Sequence, residues 1–141
     1  VLHEAGLGAA VTTLAQTFTE RTGVPVELVV DYPFSHPDDA MLYGVARELL
    51  NNVGRHAAAG RVWVELRDEG DDVTLLVRDN GIGMDPKVLS QRLTEGHIGL
   101  ASHRARVETI GGRIDFPATE SGTTVRVQIP ARYDDLPRQE M

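Results

Sequence analysis

The chain contains no cysteine, which excludes disulfide bonds, thiolate metal sites and cysteine nucleophiles. It also has no apolar run approaching the ~20 residues that a membrane-spanning helix needs. Basic residues are few: 14 lysines and arginines stand against 21 aspartates and glutamates, giving a net charge of -7. This balance argues against nucleic acid as a partner, because phosphate neutralisation needs clustered positive charge. We therefore expect neither nucleic-acid binding nor direct membrane contact.

What is present fits one ordinary globular domain. The 141 residues are 41% hydrophobic and 25% charged, which is enough to bury a sizeable core without covalent cross-links. The first residues, Val1 to Glu4, lack the basic and apolar blocks of a signal peptide. Because the chain begins with valine, we expect it to be a piece of a longer protein.

Hydrophobic periodicity predicts helices that alternate with strands. The predicted helices cover roughly 6–22, 40–59, 86–93 and 100–110, and the predicted strands cover 26–30, 61–68, 72–79, 113–116 and 123–130. Short connections make two of the strand pairs hairpins, which argues against a doubly wound parallel sheet. The predicted fold class is α+β: a two-layer α/β sandwich with a mixed, mostly antiparallel sheet and about three helices on one face.

The predicted long helix carries the first candidate motif. Glu48, Asn52 and His56 follow one another at i, i+4 spacing and therefore share one helix face. A carboxylate and an amide oxygen one turn apart are hard ligands suited to Mg²⁺. The alternative interpretation is the polar face of an amphipathic helix.

The second motif is Asp79-Asn80-Gly81-Ile82-Gly83-Met84, which directly follows a predicted strand. A carboxylate at a strand end can accept a hydrogen bond from an exocyclic amine, which favours adenine over guanine. Glycines let the backbone approach a flat base because they carry no Cβ. The alternative, a plain Asn-Gly hairpin turn, is weakened because a proline-led helix start follows instead of a strand.

The third motif is Gly96-His97-Ile98-Gly99-Leu100, at the start of a predicted helix. Glycines there expose backbone N–H groups, and a helix N-terminus favours anionic phosphate. Two glycines alone are a weak signal, and His97 reads equally as an ordinary loop histidine.

The segments ELLNNVGRHA, DNGIGM, GHIGLASHRARVETIGG and Gly122-Thr123-Thr124, in this order, resemble the ATP-binding domain of sensor histidine kinases. That domain is of the Bergerat type, shared with DNA gyrase, the MutL repair protein and heat-shock chaperones. The GH-x-GL form and short lid resemble the nitrate-sensor and desaturase-thermosensor branch. The resemblance covers roughly residues 5 to 131.

The resemblance implies ATP and Mg²⁺ as cofactors and assigns roles to individual residues. Asn52 matches the magnesium-coordinating asparagine, and Glu48 matches its catalytic partner, which holds a magnesium-bound water or polarises the attacking group. Asp79 matches the aspartate that binds the adenine amine. The remaining implied nucleotide-binding residues are Arg55, His56, Gly81, Gly83, Met84, Gly96, His97, Ile98, Gly99, Leu100, Thr123 and Thr124, the two threonines as alternative hydroxyls behind the adenine.

The resemblance also implies domain limits and partners. We expect an ATP-binding catalytic domain over 1–132, with 1–6 a residual junction from a missing dimerisation and phosphoacceptor domain, and a polar tail over 133–141. The implied reaction moves the γ-phosphoryl of Mg-ATP to a histidine on that other domain, for relay to a response regulator. The implied location is the cytoplasm, and the resemblance is compatible with a parent protein that is anchored in a membrane.

His3 lies in VLHEAGL, which resembles the segment just after the phosphoacceptor helices, so we do not expect His3 to be the phosphate acceptor. We therefore expect this chain to bind ATP, to remain monomeric and not to phosphorylate itself.

Two other functions are weighed against the kinase domain. A serine kinase acting on an anti-sigma antagonist shares the nucleotide fold, but the GH-x-GL form disfavours it. A degenerate module that only docks partner proteins is disfavoured because Glu48, Asn52 and Asp79 are all intact. A gyrase-like or chaperone ATPase would carry a longer lid.

Overall fold

A computed structural model describes residues 2–32, 37–56, 58–82, 101–119 and 121–131. Within them the helices are α1 (Leu2–Thr22), α2 (Asp39–His56) and α3 (Ala101–Thr109). The strands are β1 (Val26–Asp31), β2 (Val62–Asp68), β3 (Asp72–Asp79), β4 (Arg113–Asp115) and β5 (Thr124–Pro130). The helix predicted over 86–93 lies outside the described residues.

The strands form one mixed sheet in the order β1-β2-β3-β5-β4. β1 and β2 are parallel because α2 connects them as a crossover, and the other three pairings are antiparallel. The turn of the β2–β3 hairpin is closed by the Glu69 amide, which donates to the Asp72 carbonyl at 2.8 Å. The predicted α+β class and mostly antiparallel sheet are confirmed.

Alternation along the strands separates the two faces of the sheet. Val62, Val64 and Leu66 of β2 are fully buried against the helices, whereas Trp63 and Glu65 lie on the opposite face. The helices contribute to the same core through a set of buried apolar side chains: Leu7, Val11, Phe18, Leu42, Val45, Leu49, Leu50 and Val107. The predicted arrangement, with helices on one face of the sheet, follows from this shared core.

The outer face of the sheet carries paired charges and one aromatic contact. Arg126 of β5 binds Asp115 of β4 through Nη2 and Oδ2 at 2.6 Å, and the Arg78 guanidinium lies 4.0 Å from the Trp63 ring centroid. Each pair joins neighbouring strands, so this face is stabilised without an apolar partner.

α2 ends three residues earlier than predicted, at His56 rather than at residue 59. Ala57 to Ala59 are good helix formers, so propensity alone extends the helix. In the structure Ala58 instead has a left-handed φ of 51°, and the amides of Gly60 and Arg61 both donate to the Asn80 side chain. This tertiary contact fixes where the chain must turn into β2.

Candidate functional site

Helix α2 places Glu48 and Asn52 one turn apart at the border of the core. Leu49 and Leu50 on the neighbouring positions are 3% exposed, which orients the helix and leaves Glu48 and Asn52 half-buried. Both side chains take part in further interactions within the fold. The predicted shared face of these two oxygen-bearing side chains is therefore present in the structure.

Asp79 is the buried carboxylate of the candidate site. It ends β3 on the same alternating face as Val73, Leu75 and Val77, and it is only 3% exposed. Its side chain therefore points into the layer between the sheet and the helices. Burial raises the pKa of the Asp79 carboxyl, and hydrogen bonds from the backbone of Gly81 and Thr123 offset part of that rise.

Backbone contacts fix the orientation of Asp79. The Gly81 amide donates to Oδ1 of Asp79 at 2.8 Å, and the Asp79 amide donates to the Thr123 carbonyl at 2.9 Å. An acceptor-only carboxylate held in this way suits an amine donor such as that of adenine. Gly81 thus donates a hydrogen bond to Asp79, in addition to lacking the Cβ that would keep the backbone away from a flat base.

Gly122 supports Asp79 and was not among the predicted site residues. Its φ is 71°, and a Cβ there would lie 1.8 Å from the carbonyl oxygen of Asp79. Only glycine permits both this conformation and this approach. The signal was present in the sequence as the glycine before Thr123, but its spatial partner lies more than forty residues earlier.

Asn80 explains why the DNG stretch is not a hairpin turn. Its Oδ1 accepts hydrogen bonds from the amides of Gly60 at 2.8 Å and Arg61 at 2.9 Å. Its own amide donates to the Arg61 carbonyl at 3.3 Å. The end of β3 is therefore tied to the start of β2, which holds the neighbouring Asp79 in place.

The register of β5 separates the two candidate threonines. Thr123 contacts the Asp79 backbone, whereas Thr124 pairs with Arg78, whose side chain lies on the outer face of the sheet. Because successive side chains of a strand point to opposite faces of the sheet, Thr124 lies on the outer face and Thr123 lies on the same face as Asp79. The geometry favours Thr123 as the hydroxyl near a bound base.

Several predicted residues are outside this description. Arg55 and His56 lie in the last turn of α2, but their side chains are outside the described part of the chain. The other predicted site residues that lie outside the described ranges are Gly83, Met84, Gly96, His97, Ile98, Gly99 and Leu100. Their assignment to the nucleotide site stays a prediction.

The described residues fit a magnesium nucleotide better than a metal bound by protein alone. Within them, no group of three or more His, Cys, Asp or Glu side chains is arranged to hold a metal ion. Mg²⁺ commonly takes one or two protein oxygens and completes its shell with water and substrate phosphates. Glu48 and Asn52 supply oxygens of that kind.

A groove of about 620 Å³ between α1 and β1, lined in part by Thr12, Gln16 and Leu28, contains none of the predicted site residues.

None of the helices in the described ranges has both the length and the apolar character needed to cross a bilayer.

Comparison with known proteins places this geometry in context. Residues 37–133 match the family of histidine kinase-, DNA gyrase B- and HSP90-like ATPases. The sensor histidine kinase NarS of Mycobacterium tuberculosis is 44% identical over 132 residues, covering 94% of this chain and 31% of NarS. The nitrate/nitrite sensor protein NarQ of Escherichia coli is 32% identical over 88% of this chain and 22% of NarQ.

Among solved structures, the catalytic domain of the histidine kinase ThkA superimposes with a TM-score of 0.73 at 17% identity. The match covers 89% of this chain and 90% of that domain. At this identity the likeness shows the fold alone. The chain spans less than a third of the length of the curated relatives NarS and NarQ.

Proposed function

The chain belongs to the histidine kinase-, DNA gyrase B- and HSP90-like ATPase family as the ATP-binding catalytic domain of a sensor histidine kinase, and from this premise we propose how its residues act. It binds Mg-ATP and positions the γ-phosphoryl for transfer to a histidine on a separate dimerisation domain. Phosphoryl transfer depends mainly on positioning and charge neutralisation, so this domain needs no covalent nucleophile.

The buried Asp79 carboxylate is the observation that carries the proposal. It lies at the end of β3, is 3% exposed and has its Oδ1 fixed by the Gly81 amide. A carboxylate is costly to bury unless a partner compensates for the lost water. The exocyclic amine of adenine supplies such a partner, whereas guanine presents a carbonyl at the corresponding edge.

Glu48 and Asn52 provide the second part of the proposed site. Asn52 coordinates Mg²⁺ through its amide oxygen, and Glu48 polarises the attacking group. The ion itself, when bound, neutralises charge on the phosphates. The predicted glycine box over 96–100 then wraps the phosphates, together with Arg55 and His56.

The proposed domain covers 1–132, with a junction over 1–6 and a polar tail over 133–141. Gly6 interrupts α1 with a φ of 83°, and Leu7 directly after it is 1% exposed, which supports a junction at this point. The proposed partners are the phosphoacceptor domain of the same parent chain and a response regulator. The proposed location is the cytoplasm.

A calorimetric titration of the chain with ATP, ADP and GTP, with and without Mg²⁺, tests the proposal. We expect adenine nucleotides to bind and GTP to bind at least tenfold more weakly, since a mismatched buried hydrogen bond costs about 1–3 kcal/mol. Asp79→Asn should lose most of the ATP affinity. Incubation with labelled ATP should leave the chain unphosphorylated, because the acceptor histidine lies on another domain.

Asp115→Asn is the matched control, because Asp115 pairs with Arg126 on the outer face of the sheet and is remote from Asp79. Its ATP affinity should equal that of the unaltered chain. If no nucleotide binds, or GTP binds as well as ATP, the pocket is degenerate or misassigned, and a partner-docking role replaces nucleotide binding.

A further inference from the structure

His103 is a histidine at the contact between α3 and α2 that the proposed site does not use. It lies in the first turn of α3 and is partly buried. Its ring packs onto α2 at Gly44, where a Cβ would lie 3.0 Å from Cε1 and 3.8 Å from each ring nitrogen. The absence of a side chain at Gly44 therefore lets the imidazole lie directly on the helix.

The Nδ1 atom of His103 is fully buried and has no hydrogen-bond partner within the described part of the chain. Such an atom costs stability, because it has lost its water and gained nothing in exchange. A histidine is a poor choice for this contact if packing is its only role, since an apolar side chain of similar size avoids the cost.

The charges around His103 come from both helices. Burial is the main influence and lowers the pKa of the imidazole, the Glu48 carboxylate raises it, and Arg106 and Arg47 lower it. Burial therefore favours the neutral ring, in which one nitrogen bears a proton and the other can accept a hydrogen bond.

His103 is close to the proposed magnesium side of the site. Gly44, Glu48 and Asn52 occupy successive turns of α2 on one face, and the ring of His103 lies over the first of these turns. The chain enters α3 from the second glycine box, which the sequence assigns to the phosphates. His103 thus connects α2 to the helix that directly follows the predicted glycine box.

We propose that His103 is a positioning residue of the nucleotide site, whose Nδ1–H donates a hydrogen bond to the Glu48 carboxylate when Mg-ATP is bound. The bond strengthens the existing contact between α3 and α2 and orients Glu48 toward the phosphates. In the free protein the same nitrogen lacks this partner, which accounts for its buried, unpaired state. The inference rests on the proposed function, since it needs a nucleotide between these helices.

Two substitutions in the full chain distinguish this role from simple packing. His103→Asn keeps a donor near the position of Nδ1, whereas His103→Leu fills the space without one. We expect the leucine variant to have a higher melting temperature without ligand, because it removes the unpaired atom, and to bind Mg-ATP about tenfold more weakly. The asparagine variant should remain within a few fold of the unaltered affinity.

Nitrogen NMR of the His103 ring supplies a direct readout. Adding Mg-ATP should shift the Nδ1 resonance to that of a protonated, hydrogen-bonded nitrogen, and Glu48→Ala should abolish the shift. Unchanged Mg-ATP affinity in His103→Leu, or an unmoved Nδ1 resonance at saturation, overturns the inference. If the unaltered chain binds no Mg-ATP at all, the proposed function itself is what fails.

Discussion

At the scale of single residues, Asp79 combines a functional position with a stability cost. The sequence identified the residue, and the structure shows that it is buried at the end of β3 with a raised pKa. Burial disfavours the charged form, yet the charged form is the one whose oxygens are all free to accept a hydrogen bond from an amine donor. A site that needs this carboxylate ionised therefore works against the stability of the empty domain.

The pH dependence of unfolding tests this cost. The folded-state pKa of Asp79 lies above the unfolded value of 3.8, so the folded protein binds more protons in the interval between them. The contribution of Asp79 to the free energy of unfolding is favourable below this interval and is lost as the pH rises through the folded pKa. Asp79→Asn should remove this dependence and be at least as stable as the unaltered chain at neutral pH.

Urea unfolding from about pH 4 to about pH 8 measures the effect as a difference between the two chains. The same subtraction removes the titration of all other groups, which both chains share. A difference that is constant across the interval contradicts the predicted burial cost.

Gly122 provides a second prediction at this scale. Gly122→Ala places a Cβ 1.8 Å from the Asp79 carbonyl oxygen in a left-handed conformation, and we expect it to lower the free energy of unfolding by about 3 kcal/mol or more. Gly70→Ala is the control, because Gly70 also has a positive φ, 91°, but no atom within 4 Å of the added Cβ. It should cost only about 1 kcal/mol. Equal losses in denaturant unfolding would show that the close approach to Asp79 is unimportant.

At the scale of secondary-structure elements, the position of the site depends on how β2, β3 and β5 meet. Asn80 joins the end of β3 to the start of β2, and Thr123 joins it to the start of β5. The strands themselves were predictable from alternating apolar residues. These junctions were not, since each joins residues that are far apart in the chain.

Asn80→Ala tests the junction between β3 and β2. It removes the acceptor for the amides of Gly60 and Arg61, which are partly solvated, so we expect a loss of about 1 kcal/mol of stability and a weaker affinity for ATP. Asn80→Asp retains the acceptor oxygen and should keep both properties close to those of the unaltered chain. Thermal unfolding and calorimetry check the pair, and an alanine variant with unchanged ATP affinity argues that the junction does not position Asp79.

At the scale of the whole molecule, three described helices cover one face of the sheet, and the other face carries the Arg126–Asp115 ion pair. The last described contact in the chain is the Ala131 amide, which donates to the Asp71 carbonyl at 2.9 Å directly after β5. All the described core residues therefore precede this point or lie at it.

Removal of residues 133–141 tests the proposed domain limit. The shortened chain should keep the melting temperature within about 2 °C and the same ATP affinity, because the core residues and Asp79 all precede the cut. A large loss of either property would place part of the domain in the segment that we propose as a tail.

The sequence by itself determined the elements and the candidate chemistry. Apolar periodicity predicted the described helices and strands within a few residues, and the ordered motifs around Glu48, Asn52 and Asp79 predicted a nucleotide site. These signals are local, since helix and strand periods and motif spacings depend only on residues that are near one another in the chain. The fold class and the kinase family were accordingly available before any coordinates.

Only the tertiary structure decided which residues support that site. The contact of Gly122 with Asp79, the hydrogen bonds of Asn80 and the packing of His103 on Gly44 each join distant parts of the chain. The preference for Thr123 over Thr124, which stays a prediction, likewise depends on the register of β5 against β3. Such contacts are set when buried elements settle into one packed arrangement, and no local pattern encodes them.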